Sequence, residues 1–353
     1  MKVLIACDRN TYGNPYVSTL ADGLENVGCD VTCSIDAFWE NDSDYDVVHI
    51  QWPNLLARKM GRDGEALRKR LSVYHDKKVP VVVTLHNIMP HYNKKPEYSL
   101  AYDIVYENAD CFIHLGPASV RELKERRPDI KACHCVIPHH SYDALYNFDL
   151  INRDFARMKL KIPKDKTCIL CFGSFRDDEE RNLLIKLKKK LGTSYYILAP
   201  GFYRSTIIRK NVYIGFVNLL KTIKYSCIAK YYDIHIAHTY ISNERLPYYL
   251  VAADLVFIQR LKILNSGNVP LALHAGMPVV GPDCGNVGWL LKETQNGVFE
   301  ISHTEKIPYI IESLLKDKDC GVRNRNYAKK FLSTDIVAKQ TKELYEKLIE
   351  RFV

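Results

Sequence analysis

The sequence predicts an α/β protein of two doubly wound domains, each a parallel sheet with helices on both faces. Three observations carry that reading. Apolar runs of strand length alternate with amphipathic stretches along nearly the whole chain, the pattern of βαβ units with right-handed crossovers. The alternation occurs twice, on either side of a polar stretch at residues 147–166. A length of 353 residues also exceeds what one hydrophobic core usually organises.

In the first half, residues 2–6 read as a strand. A loop at 8–14 follows, carrying Gly13 and Asn14, and then a helix at 15–27 with Pro15 at its first position. Residues 29–35 and 46–50 are further strands, the second ending in Gln51-Trp52-Pro53. A helix at 64–77 leads to a strand at 79–85, which ends in His86-Asn87. Helix 98–108, strand 111–114 with His114 at its end, helix 117–126 and strand 132–137 complete the half, and the last runs into Pro138-His139-His140.

The second half repeats the plan. Strand 168–172 runs into Gly173-Ser174-Phe175-Arg176, followed by helix 179–191, strands 195–198 and 212–215, and helix 246–252. Strand 254–259 ends at Arg260. Residues 264–289, LNSGNVPLALHAGMPVVGPDCGNVGW, then read as loop, helix, strand, loop, helix. Asn265, Ser266 and Gly267 are helix-capping residue types. The short helix at 268–275 is ended by Gly276, the strand at 277–280 turns at Gly281-Pro282-Asp283, and Gly285-Asn286 opens the next helix. The tail from residue 317 is helical, with Leu344, Leu348 and Phe352 at four-residue spacing.

Composition narrows the class. Hydrophobic residues at 47% and charged residues at 26% are globular values. Fifty Lys and Arg against 41 Asp and Glu give a net charge of +9, which favours phosphorylated ligands or anionic lipid surfaces. No basic run with interleaved aromatics suggests a nucleic-acid partner. The apolar run of MKVLIACD is too short for a signal peptide, and no stretch reaches the ~18 apolar residues of a membrane span. Most of the eleven cysteines, such as Cys7, Cys111, Cys168 and Cys171, sit in apolar runs as buried reduced thiols do. A cytoplasmic location without disulfides is therefore expected. Asp42-Ser43-Asp44 precedes a strand and reads as a solvated turn. Cys168 and Cys171 have zinc-like spacing but inside an apolar strand point to opposite faces, and the Cys133-His134-Cys135 run has no second ligand pair at zinc spacing, so no metal site is expected.

Open α/β sheets bind ligands at the carboxyl ends of their strands, and a helix N-terminus suits a phosphate. Residues 264–289 supply two such loops; the alternative is two ordinary α/β turns. The stretch resembles the donor-site segment of glycosyltransferases of the GT-B fold, especially the family 4 kind. Those carry a glutamate, seven residues, a second glutamate and Ala-x-x-x-Gly-x-Pro-Val. Ala272, Gly276, Pro278 and Val279 keep the second half of that frame, while Ile263 and Leu271 stand where the glutamates would be. The Asn-Ser-Gly segment, the downstream Gly-Asn pair and the His-Asn-x-x-Pro-His run at 86–91 resemble a bacterial capsule and cell-wall subgroup.

The resemblance implies two Rossmann-like domains facing a central cleft. Residues 1–150, with a returning helix at about 335–353, would bind the acceptor, and residues 160–334 the nucleotide sugar. The implied activity is transfer of a hexosyl-type group from a nucleotide-diphosphate sugar to a glycan or lipid-linked acceptor in surface polysaccharide biosynthesis. Retention at the anomeric carbon is implied, with the nucleotide sugar as co-substrate and no metal or other cofactor. Two rivals stay open: a sugar-nucleotide isomerase or phosphorylase of the same fold, and a non-catalytic binding protein, motivated by Ile263 and Leu271.

Site residues follow from position and resemblance. Arg176 has the planar fork that suits a diphosphate. Related enzymes place a lysine a few residues on; here residues 177–180 are acidic, and Arg181 is the residue that could compensate. The alternative for Arg176 is pairing with those acidic neighbours. His86 is expected to face the transferred sugar, as a neutral hydrogen-bonding imidazole or as an imidazolium beside the leaving phosphate. His86 and Arg176 are the catalytic candidates. The donor set is Gly13, Asn14, Gly173, Arg176, Arg260, Asn265, Ser266, Gly267, Asn268, Gly285 and Asn286, and the acceptor set Asn87, His91 and His114. Two basic groups, Arg58, Lys59, Arg62, Arg68, Lys69 and Arg70, and Arg121, Lys124, Arg126 and Arg127, suit peripheral contact with an anionic inner membrane face, or are simply solvated helix faces.

Overall fold

The apolar runs of the first half pair side by side, all in one direction. In this computed structural model, β1 (Lys2–Ile5), β2 (Asp30–Cys33), β3 (Val47–Ile50), β4 (Val81–Leu85), β5 (Cys111–His114) and β6 (Cys133–Val136) form a parallel sheet in the order β2-β1-β3-β4-β5-β6. Val47, Val48, Ile50, Val81, Val82 and Val83 are fully buried, as strands covered on both faces must be. The covering helices are α1 (Tyr16–Asn26), α2 (Ile35–Glu40), α3 (Glu65–Asp76), α4 (Pro96–Glu107) and α5 (Pro117–Arg126). The structure describes residues 1–40, 44–90, 95–203, 212–236 and 241–352, with the side chains of all these but 12, 212–216 and 218.

The second half builds a second parallel sheet from β7 (Thr167–Leu170), β8 (Tyr195–Leu198), β9 (Ile234–His235), β10 (Leu255–Phe257), β11 (Val279–Pro282) and β12 (Gly297–Phe299), in the order β12-β11-β10-β7-β8-β9. Its helices are α6 (Arg153–Leu160), α7 (Asp178–Leu191), α8 (Val212–Tyr231), α9 (Leu246–Ala252), α10 (Asn268–His274), α11 (Gly285–Glu293), α12 (Ile307–Lys316) and α13 (Cys320–Phe331). The last helix, α14 (Thr334–Phe352), belongs to the first half. By its internal contacts the chain divides into residues 1–145 with 330–353, and residues 146–329.

Each sheet has a switch point where the chain leaves one side and resumes on the other. In the first it lies between β1 and β3, in the second between β7 and β10. Crevices at the carboxyl ends of such strand pairs are where open α/β sheets take ligands.

α14 completes the core of the first unit. Val337, Ala338, Tyr345 and Leu348 are buried with Val3, Ile5, Val17 and Leu20. It lies so close to α1 that a Cβ on Gly23 would come within 2.8 Å of Thr334 Cγ2. Lys342 Nζ donates to the carbonyl of Val27, at the end of α1, at 2.9 Å.

Four sequence expectations change. Residues 212–215, expected as a strand, begin the 20-residue α8; the apolar run does not stop at strand length. Residue 35 opens α2 instead of ending β2, and Ser34 Oγ accepts from Ala37 N at 3.1 Å as a helix-capping hydroxyl does. The polar stretch at 147–166 contains α6, capped by Asn152 Oδ1, which accepts from Phe155 N at 3.0 Å. Cys111 and Cys133, expected as thiols, form a disulfide. The parallel register of β5 and β6 sets them opposite each other with Cα atoms 4.5 Å apart, a pairing that spacing along the chain does not reveal. Asp42 and Ser43 lie outside the described residues.

Candidate functional site

The residues that follow β1, β3, β4 and β6 form one aromatic and histidine-rich cluster in the first unit. Tyr16, at the start of α1, is at its centre. Its ring centroid lies 4.8 Å from that of His86, 4.6 Å from His139 and 4.7 Å from His140. Trp52 stacks on the other side of His86 at 4.6 Å and 22°. His140 Nε2–H donates to the carbonyl of Tyr16 at 3.1 Å, and His139 Nδ1–H to the carbonyl of His140 at 2.7 Å.

Burial dominates the electrostatics here. It pushes His49 down to about 3 and His139 to about 4. For His86, burial first and then His139, His49 and His140 hold the ring well below its ordinary value. His140 is lowered by burial and by His139. A cluster of low-pKa imidazoles is neutral at physiological pH. His86 is therefore suited to donate or accept hydrogen bonds, and of its two expected forms the imidazolium is the disfavoured one.

The other first-unit candidates are distributed around this cluster. Gly13 has φ 62°, a conformation in which glycine is favoured. Asn14 Oδ1 accepts from Tyr16 N at 3.0 Å and so caps α1. The carbonyl of Asn87 accepts from Tyr106 Oη at 3.0 Å, which ties the loop after β4 to α4. His114 is fully buried, with Nδ1 3.1 Å from Ser119 Oγ and Nε2 2.9 Å from His134 Nδ1. Burial, with His134 and Lys124, pushes it down to about 3. Both its nitrogens thus meet partners within the unit, one on α5 and one on β6. His91 lies outside the described residues. Several first-unit basic residues are ion-paired: Lys59 with Asp36 and Glu40, Arg126 with Glu122, and Arg127 with Asp103 and Asp129.

In the second unit most donor candidates converge on the switch point. Gly173, after β7, has φ 101°. Asn268 reaches from the first turn of α10 to donate from Nδ2 to the carbonyl of Phe172 at 2.9 Å. Arg260, after β10, donates from Nη2 to the carbonyl of Ser174 at 3.3 Å. Arg176 N–H donates to Glu180 Oε2 at 2.9 Å. Glu180 is 4% exposed; burial raises its pKa, while the Arg176 N–H and the charges of Arg260 and Arg176 oppose the rise. The two arginines are thus arranged around a buried carboxyl.

Arg181 does not join this group. It is 9% exposed, donates to the carbonyls of Phe202 and Phe175 and to Asp178, and lies over the Tyr225 ring at 4.8 Å. Its fork braces α7 against the loops after β7 and β8. Ser266 Oγ accepts from Asn268 N at 3.3 Å. Gly267 precedes α10 with φ −65°. Gly285 and Asn286 secure the neighbouring loop: Asn286 N donates to the carbonyl of Leu264 at 2.8 Å and its Nδ2 to Asn265 Oδ1 at 2.7 Å. A Cβ on Gly285 would meet the carbonyl of Ile263 at 2.5 Å, so only glycine fits. Ile263 and Leu271 are 6% and 4% exposed and pack as core residues.

Sequence reasoning missed Tyr16, His49, Gln51, Trp52, Glu180 and Gly201. Gln51 and Trp52 were marked as a strand end, and the switch point next to that strand is the feature that singles them out.

Two doubly wound units with conformationally special residues at the carboxyl ends of their sheets define the class: the chain has the GT-B fold. Solved structures match it over its full length. Sucrose-phosphate synthase (tll1590) from Thermosynechococcus elongatus has a TM-score of 0.71 at 14% identity, covering 99% of each chain. The catalytic domain of starch synthase IV from Arabidopsis thaliana, bound to ADP and acarbose, has a TM-score of 0.69 at 11% identity, covering 99% of each chain. Anabaena Alr3699/HepE in complex with UDP has a TM-score of 0.68 at 13% identity, covering 98% of this chain and 100% of that one. No family model and no curated protein sequence matches the chain. Among the described residues no helix is long and apolar enough to cross a membrane.

Proposed function

We propose that this chain is a glycosyltransferase that uses a nucleotide-diphosphate sugar, with the donor bound by the second unit and the acceptor by the first. The observation that carries the reading is the convergence of Gly173, Arg176, Arg260 and Asn268 at the switch point of the second sheet. A positive-φ glycine allows close backbone approach, and two arginines in these loops have the planar cationic forks that suit a diphosphate. HepE, of the same fold, has been solved with UDP and with UDP-glucose.

In the proposed reaction the bond between the anomeric carbon and the diphosphate oxygen breaks, and a bond from that carbon to an acceptor hydroxyl oxygen forms. The electron pair leaves with the nucleoside diphosphate, whose growing charge Arg176 and Arg260 stabilise. The hydroxyl proton passes to the departing phosphate or to solvent. His86, neutral by its burial, hydrogen-bonds the transferred sugar. With Ile263 and Leu271 in the core, Asn265, Ser266 and Asn268 are the side chains proposed to hold the donor's hydroxyls. His114, Gly285 and Asn286 are left out of direct ligand contact because their groups serve internal bonds.

A glycan or lipid-linked acceptor, a role in surface polysaccharides, retention at the anomeric carbon and independence of metal belong to the same proposal. A membrane contact through the first-unit basic residues has weaker support, since Lys59, Arg126 and Arg127 are ion-paired within the unit. The deciding assay measures nucleoside diphosphate release from a panel of sugar nucleotides, with and without glycan or lipid-linked acceptors, and with EDTA. Acceptor-dependent release that survives EDTA is expected. Conversion of the sugar without release would favour the isomerase, and binding without turnover the non-catalytic protein.

A further inference from the structure

Behind the candidate His86, four polar side chains from widely separated parts of the chain lie in one line. Tyr345 Oη on α14 meets His49 Nδ1 on β3 at 2.5 Å. Gln51 Nε2 lies 3.1 Å from His49 Nε2 and 3.4 Å from His49 Nδ1, over the face of that ring, and Gln51 Oε1 lies 2.9 Å from His86 Nε2. Thr84 Oγ1 lies 2.7 Å from His49 Nε2. Tyr345 and His49 are fully buried, and Gln51 is 1% exposed.

The chemistry of an amide makes this line directional. Gln51 has one accepting end and one donating end, and each faces a different imidazole. As the amide stands, its oxygen accepts from His86 Nε2–H, so the lone pair of that ring is on Nδ1. Its NH2 stands against the face of the His49 ring, whose Nε2 meets the Thr84 hydroxyl and whose Nδ1 meets Tyr345 Oη. Turning the amide over would set its NH2 against His86 Nε2 and move the His86 proton to Nδ1.

The aromatic neighbours do not do this job. Trp52 stacked at 22° and Tyr16 edge-on at 88° hold the plane of the His86 ring. A half-turn of the ring within that plane leaves both contacts intact and exchanges nitrogen for carbon. Only a directional bond selects between the two settings.

We propose that Gln51 is the positioning device of His86, fixing which ring nitrogen carries the proton and which way the ring is turned. The importance of this for transfer rests on the proposed role of His86; the line itself does not. The titratable groups that face His86 are His49 on β3, Tyr16 on α1, and His139 and His140 after β6.

Nitrogen-15 NMR of the histidine rings in the full chain reads the tautomers directly. Wild type is expected to show His86 in the Nε2–H form alone. Gln51→Ala should shift the His86 signals toward a mixture of tautomers, whereas Gln51→Glu, whose carboxylate still accepts from Nε2–H, should retain the single form. A lowered unfolding midpoint in Gln51→Ala with the His86 tautomer unchanged would mean that Gln51 only packs and would overturn the proposal. Turnover provides a second readout. With UDP-glucose as probe donor, Gln51→Ala should lower kcat for UDP release about tenfold and leave the KM for UDP-glucose unchanged. If wild type releases no nucleotide from any donor, the transferase reading fails, and the NMR arm still decides the positioning role.

Discussion

Gly201 and Gly173 meet backbone to backbone: a Cβ on Gly201 would sit 2.0 Å from the carbonyl oxygen of Gly173. Phe175 N donates to the carbonyl of Gly201 at 3.1 Å, so the loops after β7 and β8 are locked together where the proposed donor site lies.

Gly201→Ala should therefore displace the 172–176 loop. The expected cost is that of overpacking, about 1–3 kcal/mol of stability, together with weaker UDP binding. Calorimetric titration with UDP and an unfolding midpoint on the same protein check it. A variant as stable as wild type with unchanged affinity would show that the loop has room to move.

Arg260→Ala should weaken UDP binding by about 10- to 100-fold, the size of a lost charge-assisted bond to phosphate. The arginine is partly buried and its charge faces buried Glu180, so an unfolding midpoint on the same protein separates lost binding from lost stability. Unaltered UDP affinity would remove Arg260 from the donor site.

Ser266→Ala separates a ligand role from a capping role. Its Oγ accepts from Asn268 N at 3.3 Å, a long bond, so the stability change should fall below the roughly 1 kcal/mol of a good cap. Donor affinity should drop by about 0.5–1.5 kcal/mol. A lowered midpoint with unchanged affinity for every sugar nucleotide would make Ser266 a cap and nothing more. Gly267→Val tests the same approach sterically, since φ −65° strains no residue.

Acid should destabilise the first unit before it destabilises the carboxylate pairs. His49 and His114 are depressed to about 3 and His139 to about 4. These rings are neutral when folded and take up a proton near their ordinary value when unfolded, so the unfolded state binds more protons below about pH 6.5. Stability is complete above that pH and is lost as pH falls from about 6.5 toward 4, by about 1.4 kcal/mol per pH unit for each such ring. Denaturant unfolding at pH 8, 6.5 and 5 measures the slope, and His114→Asn should flatten it. A midpoint constant between pH 8 and 5 would contradict the buried neutral assignment.

How much of this was legible follows from range. Strand 195–198 and helices 117–126 and 246–252 were readable to the residue, because Pro, Gly and apolar runs mark them locally. Gly276 was readable as a helix stop: its N–H bonds the carbonyl of Leu273, and that of Met277 the carbonyl of Ala272, both at 2.9 Å. Residues 212–215 misled because a β-branched and aromatic run opens the 20-residue α8. The convergence of Arg176, Arg260 and Asn268 was legible only as separate strand ends. The Tyr345–His49 bond spans 296 positions, and the Cys111–Cys133 pair depends on strand register. Neither leaves a local pattern.

The discontinuity of the first unit has a consequence for biosynthesis. Residues 1–145 leave the ribosome before residues 146–329, and the helix that closes over α1 follows both. Until α14 emerges, the surface at Gly23 that Thr334 and Ala338 will cover is bare, and His49 Nδ1 lacks the Tyr345 hydroxyl. The first unit thus completes its core only after the whole chain has emerged, while the second unit, whose segments are contiguous, can finish first.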